Sequence, residues 1–203
     1  MTLDELFWLP WILVVVLSLL VSALYYHNHR LRHLYLKLSS RDDVTELKNQ
    51  VAILARLEFL LKTALRYQHA LTIGMLQIPG LKNARKEHGN PSVDKYTVQV
   101  ANILREELRS TDRIGRYDFD KFLLILTNTN SHDSRAVFSR IIDRLEGLPL
   151  HGKTLKQYLG MTNRHSKTQD VKSFVKETEK ALGSARRENN KNIQGYQVER
   201  LDH

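Results

Sequence analysis

RIGRYDFDKFLLIL, residues 113–126, holds two short β-prone runs, Arg113 to Tyr117 and Phe122 to Leu126, around Asp118-Phe119-Asp120-Lys121. A polar turn between two such runs reads as a β-hairpin. Upstream, Asn90-Pro91 opens a helix in which Val93, Thr97, Val100, Ala101, Leu104 and Leu108 recur at three- to four-residue spacing. Before it, Leu71 to Ile78 (LTIGMLQI) is a short buried strand, and Leu47, Val51, Leu54, Leu61 and Leu65 mark one face of a helix with Thr45 as N-cap. Downstream come a helix carrying Val137, Ile141 and Leu145, a strand over Leu155 to Met161, a helix over Val171 to Arg187 and a last strand over Ile193 to Val198. The order α-β-α-β-β-α-β-α-β predicts an α/β (α+β) sandwich with one central sheet.

The whole chain has 203 residues, enough for one domain and an appendage. A formal charge of +9 favours anionic partners and says nothing about fold. Cysteine is absent, which excludes disulfide scaffolds, thiolate metal sites and a Cys nucleophile. Phe7 to Tyr26 (FWLPWILVVVLSLLVSALYY) carries no charge, and about 20 apolar residues span a bilayer core. Trp8, Trp11, Tyr25 and Tyr26 stand at its ends, Pro10 in its first turn. Asp4 and Glu5 precede it and every Lys and Arg follows, which predicts an outside amino terminus and a cytoplasmic remainder. A cleaved signal peptide would need a basic n-region, which is missing. The expected organisation is a transmembrane helix over 1–26, a basic juxtamembrane linker helix over 27–41 and a folded domain over 42–203. In the linker, Leu31, Leu34 and Leu38 leave a short dimerising helix and a solvated collar against lipid headgroups both open. His27, His29 and His33 lack the further ligands of a metal shell.

Over about residues 42–192 the element order and several short motifs resemble the GGDEF domain of diguanylate cyclases. The family's opening motif, Asp-x-Leu-Thr-Gly-Leu-x-Asn-Arg, is similar to Asp42-Asp43-Val44-Thr45-Glu46-Leu47-Lys48-Asn49-Gln50. Arg116-Tyr117 and the following Leu-Leu-Ile-Leu frame the hairpin as in the family. Tyr158-Leu159-Gly160 stands for Ser-Ile-Gly, and Glu179-Lys180-Ala181-Leu182 with Ala185-Arg186 for Ala-Asp-x-Ala-Leu-Tyr-x-Ala-Lys. The resemblance implies a mostly antiparallel sheet flanked by helices, in a bacterial protein of the inner membrane.

In the family, two GTP molecules condense at a dimer interface with Mg²⁺ or Mn²⁺ on carboxylates and phosphates. Against that pattern, Gln77 and Pro79 replace both residues of the Asp-x-Asp at the end of the first strand. Gly-Gly-Asp-Glu-Phe becomes Asp118-Phe119-Asp120-Lys121-Phe122. The two glycines that let a nucleotide approach are filled, Asp120 keeps an acidic position, and Lys121 reverses the sign of its neighbour. In the guanine-recognition stretch Lys82 and Asp94 match, while Arg85 replaces an Asn. The expectation is a degenerate, catalytically inactive domain without a metal of its own; Mg²⁺ would enter only with residual cyclase activity.

The family's inhibitory Arg-x-x-Asp site for cyclic di-GMP is matched by Arg109-Ser110-Thr111-Asp112, with Arg140 at the position of a second Arg. An Arg fork pairs with guanine O6/N7 or phosphate, and a carboxylate accepts from guanine N–H groups. The resemblance therefore implies a membrane-anchored receptor for cyclic di-GMP that signals to a protein partner, with room for a homodimer. The rival readings are a nucleotide-independent interaction module and a residual cyclase. Nucleic acid is not an expected partner, because no basic helix or aromatic platform is evident in the sequence.

Overall fold

The computed structural model describes residues 9–38, 40–165, 168, 170–187 and 193–195, the side chains of 9–10 and 27–38 excepted. The chain divides into two units, 1–40 and 41–203. The described part of the first holds one helix, α1 (Leu9–Leu38). Its apolar side chains from Trp11 to Tyr26 are all exposed. At 1.5 Å per residue those side chains cover roughly 24 Å. Among the described residues no helix is long and apolar enough to cross a membrane. Phe7 and Trp8 at the start of the expected span, the side chains of the linker's leucines and histidines, and the strand beyond residue 195 lie outside the described residues.

The second unit follows the expected order, with one added hairpin. Its elements are α2 (Gln50–Tyr67), β1 (Leu71–Gln77), α3 (Gly80–Glu107), β2 (Arg113–Asp118), β3 (Lys121–Thr127), α4 (Ser131–Glu146), β4 (Pro149–Leu150), β5 (Lys153–Thr154), β6 (Tyr158–Asn163), α5 (Val171–Arg187) and β7 (Ile193–Gly195). The main sheet runs β2-β3-β1-β6-β7. Three of its pairings are antiparallel and the last, β6 with β7, is parallel. Alternation along the strands splits the core in two. Ile73, Met75, Leu123 and Ile125 pack with Ile53, Leu57 and Leu61 of α2 and Phe174 of α5. Leu76, Phe122, Leu124 and Leu126 pack with Tyr96 and Val100 of α3 and Phe138 and Ile141 of α4.

Two helix starts differ from the sequence expectation. Asn49, not Thr45, caps α2 by accepting from the Ala52 N–H at 2.9 Å. Thr45 is instead buried in a tight turn, where its hydroxyl and N–H both donate to Asp42 Oδ1 at 2.7 and 2.9 Å. The buried face of α2 is accordingly Ile53, Leu57, Leu61 and Ala64, and Val51 faces outward. Helix α3 begins at Gly80, ten residues before Asn90, and bends at Gly89, whose φ of 76° and ψ of 172° only glycine adopts readily. Strand β6 starts at Tyr158 rather than Leu155, because the chain first forms the β4–β5 hairpin.

Candidate functional site

The β2–β3 turn, the end of β1 and the kinked start of α3 meet at one end of the strands. Gln77 pairs with Lys121 across the β1–β3 ladder, which brings Gln77 and Asp120 together although 43 residues separate them. Gln77 Nε2 donates to Asp120 Oδ2 at 3.0 Å, and Lys82 Nζ stands 3.6 Å from the same oxygen. Asp120 is 1% exposed, and its Oδ1 has no hydrogen-bond partner. The buried carboxylate thus holds an amide donor and an ammonium where the family carries metal. One carboxylate bonded in this way, beside Pro79 with no donor to add, does not fit the hard oxygen shell of Mg²⁺. Among the described residues no group of three metal-ligating side chains forms.

Lys121 is not the cation of this site. Strand alternation turns it to the opposite face of the sheet, where its Nζ lies 4.0 Å from Glu179 of α5. The charge beside Asp120 comes from Lys82, a residue the sequence reading counted as a match to the family.

Next to Asp120 lies a cleft of about 460 Å³ whose lining includes Asp42, Asn49, Arg85, Asn90, Asp94, Arg116, Asp118 and Phe119. Phe119 occupies a position that is glycine in the family, and its ring lies 5.1 Å from the Arg85 guanidinium and 5.7 Å from that of Arg116. Arg85 Nε donates to Asn90 Oδ1 at 2.6 Å. Arg116, 7% exposed, donates to Asp42 Oδ1 at 3.1 Å and to the Phe119 carbonyl at 3.0 Å. Burial pushes the Asp42 carboxyl up, but the Thr45 hydroxyl and N–H and the Arg116 charge outweigh it and hold the group below the usual carboxylate range. Asp118 is exposed and accepts from the Phe119 N–H at 2.7 Å, so its carboxylate closes the turn. Asp94 is half-buried on the cleft wall. Sequence reasoning missed the Gln77–Asp120–Lys82 contact and the Arg85–Phe119–Arg116 stack. A charged Arg116 inside a strand was the available signal for a partner such as Asp42.

The Arg-x-x-Asp stretch forms the turn between α3 and β2. Asp112 Oδ2 accepts from the Arg109 N–H and Oδ1 from the Thr127 N–H, both at 3.1 Å. Arg109 is exposed. Arg140, on α4, donates to Glu107 through Nε and to the Glu107 carbonyl through Nη2 at 3.0 Å. Arg144 Nη1 reaches Glu107 Oε1 at 2.8 Å. Hydrogen bonds from Arg144 and then Arg140 hold the Glu107 carboxyl below its ordinary range. The three expected ligand residues therefore occupy the turn and the adjoining helix. Asp112 is committed to backbone N–H groups and Arg140 to an acidic neighbour.

Sheet order and flanking helices define an α+β sandwich with a mixed sheet and a cleft lined by acids and arginines. The sequence matches the family described as diguanylate cyclase, GGDEF domain, over residues 39–192, and the chain belongs to that family. Diguanylate cyclase A of Treponema denticola is 25% identical over 154 residues, covering 72% of this chain and 42% of its own length. The bifunctional diguanylate cyclase/cyclic di-GMP phosphodiesterase MucR of Pseudomonas aeruginosa is 24% identical over 128 residues, 63% of this chain and 18% of its own. The chain thus spans less than half the length of these relatives. Among solved structures, the GGDEF domain of DgcB from Caulobacter crescentus in complex with c-di-GMP superposes with a TM-score of 0.72 at 15% identity, covering 79% of this chain and 97% of that one. Diguanylate cyclase SiaD of Pseudomonas aeruginosa, in complex with its activator SiaC, superposes with a TM-score of 0.69 at 24% identity, over 93% and 75% of the two chains.

Proposed function

We propose that this chain is a membrane-anchored, catalytically inactive GGDEF protein that binds cyclic di-GMP through Arg109, Asp112 and Arg140 and relays its presence to a protein partner. The observation that carries the inactive half is the Asp120 carboxylate, bonded to the Gln77 amide and 3.6 Å from the Lys82 ammonium. A divalent ion there would have to displace a like charge and an internal hydrogen bond. Phe119 adds an aromatic ring where a triphosphate needs open backbone. The receptor half is supported by the exposed Arg109 and by the rigid seat of Asp112, which retains acceptor capacity beyond its two backbone N–H bonds. Ligand capture would draw Arg140 from Glu107. That DgcB is solved with c-di-GMP and SiaD with a protein activator supports ligand binding and a protein partner by analogy. The exposed apolar run Trp11–Tyr26, with Arg30 and Arg32 after it, supports an inner-membrane anchor with the domain on the cytoplasmic side.

Titration calorimetry on the detergent-solubilised full chain tests the receptor reading. Cyclic di-GMP should give saturable heat that Arg109→Ala abolishes. No heat, or binding unchanged in that variant, removes the reading. A nucleotide-independent docking module is the second reading, favoured by the Glu107 bonds that already occupy Arg140. It predicts that partner capture survives both Arg109→Ala and Arg140→Ala.

A further inference from the structure

Among the described residues of the folded unit, the large apolar side chains left more than half exposed are Val51, Phe59 and Tyr67, and all three stand on α2. Val51, Ala55 and Phe59 recur every four residues and form an outward ridge opposite buried Ile53, Leu57 and Leu61. Basic groups surround the ridge. The Arg56 guanidinium lies 5.0 Å from the Phe59 ring and that of Arg66 lies 5.3 Å from the Tyr67 ring. Helix α5, in the same layer, exposes Lys172, Lys176 and Lys180. The charge is unevenly shared between the two faces of the sandwich. α2 carries three basic residues to one acidic and α5 five to two, whereas α3 carries five to four and α4 three to three.

An aliphatic and aromatic ridge flanked by Lys and Arg matches the boundary between acyl chains and anionic headgroups. A second copy of the same face would bring like charges together. A nucleic acid would need open ring faces for stacking, and the guanidiniums already lie over Phe59 and Tyr67. We infer that the α2/α5 face docks on an anionic phospholipid surface. The inference takes proximity to the bilayer from the anchor proposed above, and its test separates the two.

The chain has no cysteine. Ala55→Cys therefore places a single environment-sensitive fluorophore on the ridge. The labelled full-length protein is reconstituted into nanodiscs of phosphatidylcholine alone and of equimolar phosphatidylcholine and phosphatidylglycerol. Emission should shift to the blue in the anionic discs, and raised salt should reverse the shift. Equal emission in both discs overturns the inference. So does a shift that tracks the number of protein copies per disc, or one produced by a single-stranded oligonucleotide and not by lipid. Protein that fails to migrate with the discs contradicts the anchor alone. The labelled chain is then mixed with vesicles of the same two compositions. Binding confined to the anionic vesicles, and weakened roughly tenfold by Lys172→Ala with Lys176→Ala, upholds the face. Equal binding to both vesicles, or to neither, overturns it.

Discussion

Asp120, Asp42 and Arg140 each sit in a contact that a sequence motif names only in part. Asp120 could be aligned with an acidic family position, but its partners Gln77 and Lys82 come from two other elements and emerge only from the β1–β3 register. Lys82→Met should leave Asp120 without its cation and lower stability by about 1 kcal/mol, a modest figure because the lysine is itself well exposed; denaturant midpoints measure it. Asp42 behaves as a depressed carboxylate, so it contributes stability above its unfolded pKa and loses it as the pH falls through the folded one. Urea unfolding followed downward from pH 5 should show stability falling below about pH 4, and Asp42→Asn should flatten that fall. An equal slope in both proteins would assign the acid sensitivity elsewhere. On the proposed function, Glu107 competes with ligand for Arg140. Glu107→Gln should then tighten cyclic di-GMP binding by about three- to tenfold, since a neutral amide holds the guanidinium less firmly.

At the scale of elements, most of the order was legible because hydrophobic spacing reports which face is buried. Helix α5 lies where Val171 to Arg187 placed it, and the β2–β3 hairpin turns within the Asp118-Phe119-Asp120-Lys121 stretch that separates the two β-prone runs. The misread α2 start has a local cause. Thr45 and Asn49 are both good caps, and Asp42 recruits Thr45 into a turn instead. The first turns of α3 were missed because Asn90-Pro91 is itself a good helix start, whereas the helix already begins after Pro79 and continues through the bend at Gly89. Two glycines contrast close packing with open space. A Cβ on Gly160 would lie 2.2 Å from the Leu182 nitrogen and 2.5 Å from the Thr178 carbonyl, both backbone of α5. Gly160→Ala should push that helix off β6 and cost about 3 kcal/mol. Gly183, in the same helix, would meet only the tip of Arg187 at 3.8 Å. Gly183→Ala should therefore stabilise by about 0.5–1 kcal/mol through helix propensity, which thermal unfolding of the two variants side by side would resolve.

The molecule as a whole joins a GGDEF fold to an amino-terminal apolar helix, with one core on each face of its sheet and a polar cleft beside the β2–β3 turn. Scaffold and chemistry separate for a physical reason. Core positions need only volume and apolarity, whereas a metal site needs particular carboxylates at fixed places. The fold could thus be read from spacing, and the Arg109, Asp112 and Arg140 positions from the resemblance. Their present partners depended on backbone N–H groups and on Glu107, which no motif records. The most direct test of the central claim is incubation of the full-length protein with GTP and Mn²⁺, followed by chromatographic detection of product. On the proposed function, the Gln77 and Lys82 contacts to Asp120 and the ring of Phe119 predict no cyclic di-GMP above the enzyme-free control, and product accumulating over many turnovers would contradict it.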